Sequence, residues 1–569
     1  MKRIFSFALI IFVFGSLFVF PQAKRKEVSQ LPDAEPFKIA TGSSFSASRA
    51  GTSVSSEQTS QLNITQDYQE ALDVIRQNYV GGNRIDYSEL TKSAITAMLR
   101  TLDPHSNYFD ANEYQDLLTD QQSEYFGIGA TISNYMRDGK YETFIISTFQ
   151  DSPAYKANLH FGDKIIAVNG ENVSGKNSAV VRDKVRGKKG TIVRLTIERA
   201  DTEKHEIVEI RRNRVPQPSI PDAYLLRGNI GYVDLSEGFN YTTFDELEAA
   251  LSDLHARGMT SLIMDLRDNP GGILDQAVMV AEKFLPDGDT IVTQRGRFKI
   301  DNRVWKSANR QAEAMPLVVL VNENSASASE IVAGALQDYD RALIIGENTF
   351  GKGLVQSIIN LPYGSGLTLT TAKYYTPSGR SIQRDYSNGN IYDYFLHKEK
   401  IEESAKIPAK TVTGRTVYGG DGIQPDETIK DAELNQPEVA LLDPLFFFTS
   451  ELAAGKISGF ESFKVTNQFQ YGQRISSNNF PLTDELFAVF KRFVAEEKGW
   501  NVTAEQIEAE KSFIKLRLRY NLAIANYGSV AANQVLIEED LQVARAVEAL
   551  PKAKQLALAA QKSQQKQNK

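Results

Sequence analysis

The chain contains no cysteine, which excludes disulfides, thiolate-bound zinc and a cysteine nucleophile. It has only five histidines, and no two of them show the i, i+4 spacing that aims two imidazoles at one metal ion from a helix. A zinc-protease motif is therefore excluded. The folded part also lacks an extended basic run, since 64 Lys and Arg stand against 71 Asp and Glu. Nucleic acid is not an expected partner.

The length and composition indicate a soluble protein of several domains. A chain of 569 residues is expected to form about three to five domains rather than one core. Its 41% apolar and 24% charged residues are close to the average for globular proteins. This balance excludes both global disorder and a polytopic membrane protein.

The N-terminus has the pattern of a secretory signal. A charged start, Met1-Lys2-Arg3, precedes an apolar run from Ile4 to Phe20 and the exit sequence Pro21-Gln22-Ala23. We expect a signal peptide over 1–23, although an apolar run of 17 residues can also serve as an uncleaved membrane anchor. Both alternatives export the body of the protein, and we expect a periplasmic location.

Composition and periodicity divide the rest of the chain into five segments. A Ser/Thr/Gln/Ala-rich stretch with few bulky residues comes first, helical periodicity follows, then alternating β-like segments, then strands that alternate with helices, and finally helical periodicity again. The predicted segments are a flexible tether (24–65), an N-terminal helical region (66–123), a β-rich module (124–213), an α/β core (214–430) and a C-terminal helical region (431–569).

The core segment predicts βαβ units and a largely parallel sheet, whose sites lie at the carboxyl ends of its strands. Within it, Thr243-Phe244-Asp245-Glu246 matches a capping box that begins a helix. The strongest strand predictions are Ile230–Leu235, Ser261–Leu266, Pro316–Val321 and Arg341–Ile345.

Three serines follow the third of these strands in the run Ser325-Ala326-Ser327-Ala328-Ser329-Glu330. A serine at such a strand-to-helix turn lies at the positive end of the helix dipole, where backbone N–H groups can stabilise an oxyanion. The same residues also match a helix capping box. The two interpretations are compatible, because a nucleophile can occupy the start of a helix.

The segment Gly346 to Gly353 matches the phosphate-loop pattern up to Lys352, but Gly353 stands where Ser or Thr is required and strands are predicted to follow instead of a helix. A nucleotide site is therefore rejected. A lysine between two glycines can approach another backbone segment closely. Burial in an apolar pocket would lower its pKa enough for the neutral amine to activate a serine.

Five ordered motifs together resemble the C-terminal processing, or tail-specific, proteases, which are Ser/Lys-dyad serine peptidases with a PDZ domain. The resemblance covers about 66–425. The motifs are Leu102-Asp103-Pro104-His105-Ser106, Ser152-Pro153-Ala154 with Gly162-Asp163, Asn269-Pro270-Gly271-Gly272, the serine run, and Thr349-Phe350-Gly351-Lys352-Gly353-Leu354-Val355-Gln356.

This resemblance implies the roles of individual residues. Its spacing of 25 positions between serine and lysine selects Ser327 over Ser325 and Ser329 as the partner of Lys352, and its glutamine four residues after the lysine is Gln356. The family's oxyanion donors correspond to the N–H of Ala328 and of a glycine within 269–272, with Gly271 as the first choice.

The resemblance also implies that the β-rich module is a PDZ domain. Phe126, Gly127, Ile128 and Gly129 resemble the loop that captures a free C-terminal carboxylate while the peptide adds as a strand. A plain turn is the alternative. Arg186 resembles the arginine that senses bound substrate, for which a basic hairpin turn is the alternative.

The expected fold is a multidomain α/β protein with a crotonase-like protease core, an inserted PDZ domain and helical regions at both ends. The expected function is an exported serine endopeptidase that binds proteins or peptides with free, apolar C-termini and cleaves them without metal or other cofactor. A catalytically inactive PDZ scaffold and a crotonase-like small-molecule enzyme are the alternatives. The N-terminal segment offers a route to membrane association, and the sequence leaves a homo-oligomer open.

Overall fold

The computed structural model describes residues 61–120, 124–387, 394–395, 407–465, 469–472, 474–476, 479–497 and 499–567. These residues fall into two compact units, one of residues 61–102 and one that begins at Asp103. The predicted signal peptide and most of the predicted tether lie outside the described residues. Among the helices that are described, none combines the length and the apolar character needed to cross a membrane.

The first unit contains two helices, α1 (Gln61–Asn78) and α2 (Tyr87–Arg100). Asp86 is the N-cap of α2, because its side chain accepts hydrogen bonds from the otherwise free amides of Ser88 and Glu89. The boundary of the predicted tether at residue 65 was wrong, since α1 already begins at Gln61. The stretch 61–65 contains neither Gly nor Pro, so nothing in it opposes the extension of the helix.

The second unit begins with β1 (Asn107–Phe109) and α3 (Ala111–Asp120), after which the β-rich module follows. The elements of this module are β2 (Glu124–Gly127), β3 (Ala130–Arg137), β4 (Lys140–Thr148), α4 (Pro153–Lys156), β5 (Lys164–Val168), β6 (Glu171–Asn172), α5 (Ser178–Val185), β7 (Ile192–Glu198), β8 (His205–Arg211) and β9 (Asn213–Pro216).

The module is built on an antiparallel sheet in the order β3-β4-β5-β7-β8, with β6 beside β5, so β3 is an edge strand of this sheet. The alternating β-like segments predicted for this module are confirmed as strands, among them β4, β5 and β7. Side chains alternate between buried and less buried along β7, which gives the sheet one apolar face. Strand β9 pairs with β2 and extends the module to Pro216, three residues beyond its predicted end at 213.

The α/β core follows, and its described strands form two large sheets and one two-stranded sheet. Its elements are β10 (Asp222–Leu226), β11 (Ile230–Asp234), α6 (Thr243–Ala256), β12 (Ser261–Asp265), α7 (Leu274–Glu282), β13 (Thr290–Gly296), β14 (Arg303–Lys306), β15 (Leu317–Val321), α8 (Ala328–Asp338), β16 (Leu343–Gly346), β17 (Leu354–Asn360), β18 (Gly366–Tyr375), β19 (Ile407–Lys410), β20 (Thr416–Gly419) and β21 (Glu427–Thr428).

The larger sheet has the order β10-β11-β12-β15-β16-β21 and is parallel except for β10 at one edge. This confirms the prediction of a largely parallel sheet. The carboxyl ends of β12, β15 and β16 lie at one edge, and from there the chain continues into the segments around Gly271, Ser327 and Lys352. A second, antiparallel sheet contains β17 and β18, and β1 from the start of the unit pairs with β18.

The predicted capping box at the start of α6 is not formed. The helix begins at Thr243, so Thr242 occupies the N-cap position, and its side chain makes no capping hydrogen bond. The carboxylate of Glu246 instead accepts a hydrogen bond from the Ile220 N–H at 2.9 Å. The Glu246 side chain, which the capping box requires, is therefore bonded to the segment before β10.

Within its described residues, the C-terminal region forms six α-helices, and the last of them completes the core. Helix α14 packs its buried residues, among them Val543, Ala546 and Ala553, against apolar side chains of β12, β15 and β16. The helices are α9 (Gln436–Ala454), α10 (Asp484–Glu496), α11 (Ala504–Ala509), α12 (Lys511–Tyr527), α13 (Ser529–Glu538) and α14 (Leu541–Gln567).

Aromatic side chains connect the C-terminal helices to the β-rich module. The ring of Phe446 on α9 stacks on Tyr135 of β3 with their centroids 3.7 Å apart. Phe144 of β4 and Phe161 lie in the same buried cluster, together with Ala523 of α12. The region after residue 430 therefore packs against both the core and the β-rich module.

The first prediction concerns α14. Ala553 is fully buried, whereas Ala559 on the same helix is exposed. Ala553→Asp places an unpaired charge in an apolar interface, and we expect it to lower the free energy of unfolding by about 3 kcal/mol or more. Ala559→Asp is the matched control and should change it by less than about 0.5 kcal/mol. Denaturant unfolding measures both, and equal stabilities would show that α14 does not stabilise the core.

Candidate active site

Ser327 occupies the turn between β15 and α8 in a strained backbone conformation. Its φ is +56° and its ψ is −110°, values that non-glycine residues rarely adopt and that cost on the order of 1–3 kcal/mol. The first amides of α8 do not depend on its hydroxyl, because the Glu330 N–H donates to the Ser327 carbonyl at 2.9 Å. Such strain at a strand-to-helix turn is typical of a nucleophile held by the surrounding structure.

The hydroxyls of the two neighbouring serines donate hydrogen bonds to backbone carbonyls. Ser325 Oγ donates to the Leu266 carbonyl at 2.7 Å, and Ser329 Oγ donates to the Asn269 carbonyl at 2.9 Å. Both serines are completely buried, whereas Ser327 is only partly buried. Of the three serines, Ser327 is therefore the one that a substrate can reach.

A single buried carboxylate, that of Glu330, connects the serine turn to the lysine loop. Its Oε2 accepts the N–H of Ser327 at 2.8 Å and the N–H of Lys352 at 2.9 Å. Its Oε1 accepts the Thr349 hydroxyl at 2.6 Å and the Gly351 N–H at 2.8 Å. Burial raises the pKa of Glu330, and these donated hydrogen bonds oppose the increase. The carboxylate thus fixes the backbone of Ser327 relative to that of Lys352.

Lys352 is buried, with 5% of its surface exposed. Burial lowers its pKa to about 8, while the negative charges of Glu330 and Asp103 act in the opposite direction. An amine with a pKa of about 8 is neutral in about one molecule in ten at pH 7, against about one in 2,500 for an ordinary lysine, and a general base requires this neutral form.

The glycines on either side of Lys352 allow the close approach that the sequence predicts. A Cβ atom at Gly351 would lie 2.9 Å from the Arg384 Cβ, and one at Gly353 would lie 2.8 Å from the Gln383 backbone nitrogen. Side chains do not fit at either position, so the lysine can be held against the neighbouring segment only between glycines.

Gln356 lies on β17 next to the lysine amine. Lys352 Nζ donates to Gln356 Oε1 at 3.1 Å. The other end of the same amide donates to the carbonyl oxygen of His105. Gln356 therefore holds the amine from one side, as the resemblance implies for this residue.

The segment 269–272 packs directly against the serine turn, but not as expected at Gly271. A Cβ atom at Gly271 would lie 2.7 Å from the Ser327 Cβ and 2.9 Å from the Ala328 nitrogen. However, the Gly271 N–H donates to Asn269 Oδ1 at 2.9 Å. This bond must be exchanged before the Gly271 N–H can serve an oxyanion, so the choice of Gly271 as donor does not follow from the structure.

Sequence reasoning recognised Glu330 only as a capping residue, included Thr349 in a motif without assigning it a role, and did not identify Tyr374. Tyr374 is buried, and its hydroxyl donates to the Lys352 carbonyl. A glutamate three residues after the serine was the only available signal, because the other partners of Glu330 lie 19 to 22 residues away in the chain.

Two family models match the chain, Peptidase family S41 over residues 229–393 and PDZ domain over residues 117–198. The carboxy-terminal-processing protease of Bartonella bacilliformis is 41% identical over 303 residues, which cover 52% of this chain and 68% of that protein. A probable CtpA-like serine protease of Staphylococcus haemolyticus is 35% identical over 374 residues, which cover 64% of this chain and 72% of that protein.

The chain belongs to the carboxy-terminal-processing proteases of peptidase family S41. Among solved structures, it is similar to the photosystem II D1 C-terminal processing protease, with 27% identity, 66% of this chain and 94% of that chain covered, and a TM-score of 0.34.

The peptide-binding residues predicted for this protease cluster at the start of the PDZ sheet. Phe126 and Gly127 end β2, and the loop through Gly129 leads directly into β3. The Ile128 carbonyl accepts the Ala154 N–H at 2.7 Å, and Gly129 has a φ of +74°.

Arg186 follows α5 and reaches the same loop from the other side. Its guanidinium lies 4.7 Å from the centre of the Tyr125 ring, next to Gly127.

The second prediction concerns Gly271. Gly271→Ala introduces a Cβ atom into contact with Ser327 and Ala328, at a φ of +94° that favours glycine. We expect the protease to lose activity by about 100-fold or more, because a displacement of about 1 Å at a nucleophile costs this much. Peptide cleavage by the folded variant provides the measurement, and wild-type kcat would contradict the described packing.

The third prediction concerns pH. Only the neutral form of Lys352 can accept a proton, so kcat/KM should rise with pH through an apparent pKa of about 8 and then level off. Lys352→Arg should be inactive, because arginine stays protonated. A pH profile of the wild type and the activity of this variant provide the test. Activity that falls between pH 7 and 9, or an active Lys352→Arg variant, would remove Lys352 from the mechanism.

Proposed function

We propose that the protein is an exported endopeptidase that captures free C-terminal tails with its PDZ domain and cleaves them with a Ser327–Lys352 dyad. One observation carries the chemical part of the proposal. The Glu330 carboxylate binds the amides of both Ser327 and Lys352, and the lysine amine is buried with a pKa lowered to about 8. A scaffold without catalytic activity would gain nothing from a buried amine of this kind.

The mechanism follows from these positions. Ser327 Oγ attacks the scissile carbonyl while neutral Lys352 accepts its proton, and the Ala328 N–H at the start of α8 stabilises the oxyanion. Lys352 then donates the proton to the leaving amine, and the acyl group remains as an ester on Ser327. Water hydrolyses the ester with Lys352 again as base, which regenerates the serine. The second oxyanion donor comes from the segment 269–272 after Asn269 releases the Gly271 N–H.

The geometry of the PDZ domain supports recognition of C-termini. Strand β3 is an edge of its sheet and follows immediately after the loop 126–129, so a peptide can add beside β3 with its carboxylate at the loop. The far end of β3 is covered, because the Met136 N–H donates to Asp443 of α9. A bound tail is therefore expected to occupy the end of β3 nearest the loop.

The remaining parts of the proposal rest on the sequence. The apolar N-terminal run supports export to the periplasm, with membrane association if the run is not cleaved. The parallel sheet with flanking helices supports a crotonase-like core. A homo-oligomer is compatible with the exposed apolar residues of α1 and α2, such as Met98, which is 57% exposed.

The fourth prediction tests the nucleophile. Ser327→Ala should abolish cleavage and leave the fold intact, because its hydroxyl is not needed to begin α8. Ser329→Ala removes a buried hydroxyl bonded to a carbonyl, and should mainly lower stability by about 1–3 kcal/mol. Cleavage assays together with thermal unfolding distinguish the two effects. An active Ser327→Ala protein would overturn the proposed mechanism.

The fifth prediction tests recognition. A side chain at Gly127 would point at the Tyr125 ring, 2.8 Å from its nearest atom, and towards Arg186. Gly127→Val should therefore raise KM for a protein with an apolar C-terminal tail about 10-fold or more, and leave kcat for a short unstructured peptide within about twofold. An amidated tail should show little of this difference, because it lacks the carboxylate. An unchanged KM for the free tail would contradict the recognition proposal.

A further inference from the structure

A buried turn of residues 103–106 lies beside the proposed base. The Asp103 carboxylate accepts the N–H groups of His105 and Ser106, each at 2.8 Å, and the Ser106 hydroxyl at 2.7 Å. All three residues are at least 94% buried. Three hydrogen bonds to one carboxylate thus hold one conformation of the turn.

The turn is attached to the sheet that carries Gln356. Ser106 Oγ accepts the N–H of Thr370 on β18 at 3.0 Å, and β1, which begins at Asn107, pairs with the same strand. Strand β17, which contains Gln356, is the other neighbour of this part of β18. Strand β18 therefore fixes the position of the turn 103–106 relative to Gln356.

The His105 carbonyl determines which way the Gln356 amide faces. It accepts one hydrogen bond from Gln356 Nε2 and a second, at 2.9 Å, from Asn107 Nδ2. With its nitrogen at the carbonyl, Gln356 presents its oxygen to Lys352 Nζ. The reversed amide would place two oxygens against each other at His105 and an N–H against the amine, so the turn disfavours it strongly.

The orientation of this amide matters for a neutral lysine. A neutral amine has two N–H groups and one lone pair, and the lone pair must face Ser327 Oγ for the amine to accept its proton. An oxygen at Gln356 takes up one N–H and leaves the lone pair free. An N–H in the same place would bind the lone pair and compete with Ser327.

The imidazole of His105 is engaged elsewhere. Its Nε2 is 2.8 Å from the Tyr394 hydroxyl, and its ring lies within about 6 Å of the rings of Phe350 and Phe395. Burial, and then the charges of Lys352 and Arg384, keep its pKa well below the ordinary value. The ring is thus a neutral anchor for the turn.

We infer that Asp103, His105 and Ser106 are positioning residues for the general base, with His105 acting through its backbone carbonyl on Gln356. The inference rests on the proposed Ser327–Lys352 mechanism and assigns a role to the sequence motif at 102–106. None of the three residues contacts the reacting atoms in this role. Their positioning effect is transmitted through the amide of Gln356, and it is separate from the charge of Asp103, which opposes the lowering of the Lys352 pKa.

A double-mutant cycle tests the inference. Ser106→Ala weakens the turn, Gln356→Ala removes the amide on which it acts, and the third variant combines both changes. Ser357→Ala is the matched control. Ser357 is the neighbour of Gln356 on β17, and its hydroxyl is hydrogen-bonded to Thr371 of β18. Single-turnover cleavage of a short peptide by excess enzyme keeps slow variants measurable.

We expect Ser106→Ala to reduce the cleavage rate about 10-fold in the wild type and less than twofold in Gln356→Ala. Ser357→Ala should stay within about twofold in both backgrounds. Equal losses from Ser106→Ala in both backgrounds, or no loss in either, would overturn the inference. If Ser106→Ala does not fold, Asn107→Ala removes the other donor to the His105 carbonyl and should show the same dependence on Gln356.

The outcome is distinguishable from a failure of the proposed mechanism. Activity in Ser327→Ala or Lys352→Arg would reject the dyad itself, whatever the cycle shows. Inactive dyad variants together with additive effects of Ser106→Ala and Gln356→Ala would reject only the positioning role of the turn.

Discussion

The active site depends on one buried carboxylate more than on any other group. Glu330 accepts four hydrogen bonds, and each bond to a charged group contributes about 1.5–3 kcal/mol. Two of the four come from the backbones of Ser327 and Lys352, which belong to loops after different strands. The carboxylate thereby holds the strained conformation of Ser327 and brings the lysine loop to it. Because it binds Ser327 and Lys352 only through their backbone N–H groups, the carboxylate does not occupy the serine hydroxyl or the lysine amine.

The sheet, the neighbouring turn and the C-terminal helices support this site. The parallel sheet places the loops at one edge, α8 begins directly after Ser327, and the His105 carbonyl in the turn at 103–106 accepts a hydrogen bond from the Gln356 amide. The C-terminal helices cover the sheet with α14 and pack aromatic side chains against the PDZ domain. Recognition and chemistry are therefore joined by packed interfaces within one compact unit, in addition to the chain connection between them.

Local sequence patterns and a family resemblance were sufficient to predict much of the core fold and of the candidate site. The strands of the core, the glycines around Lys352 and the proximity of Lys352 to Gln356 agree with the structure. The capping box at Thr243 and the tether boundary failed, since Glu246 has a closer partner and α1 extends further than the composition indicated. The commitment of the Gly271 N–H to Asn269 and the four partners of Glu330 depend on the exact folding of loops, which spacing does not determine.

The reactivity of Ser327 in a Glu330→Gln variant tests the central claim most directly. Glutamine has the same shape but only one acceptor oxygen, so about half of the bonds at this position are lost. The rate of Ser327 modification by a fluorophosphonate probe should fall about 100-fold, equivalent to about 2.7 kcal/mol, in a protein that thermal unfolding shows to be folded. A rate within about twofold of wild type would contradict the claim that this carboxylate holds the serine and the lysine together.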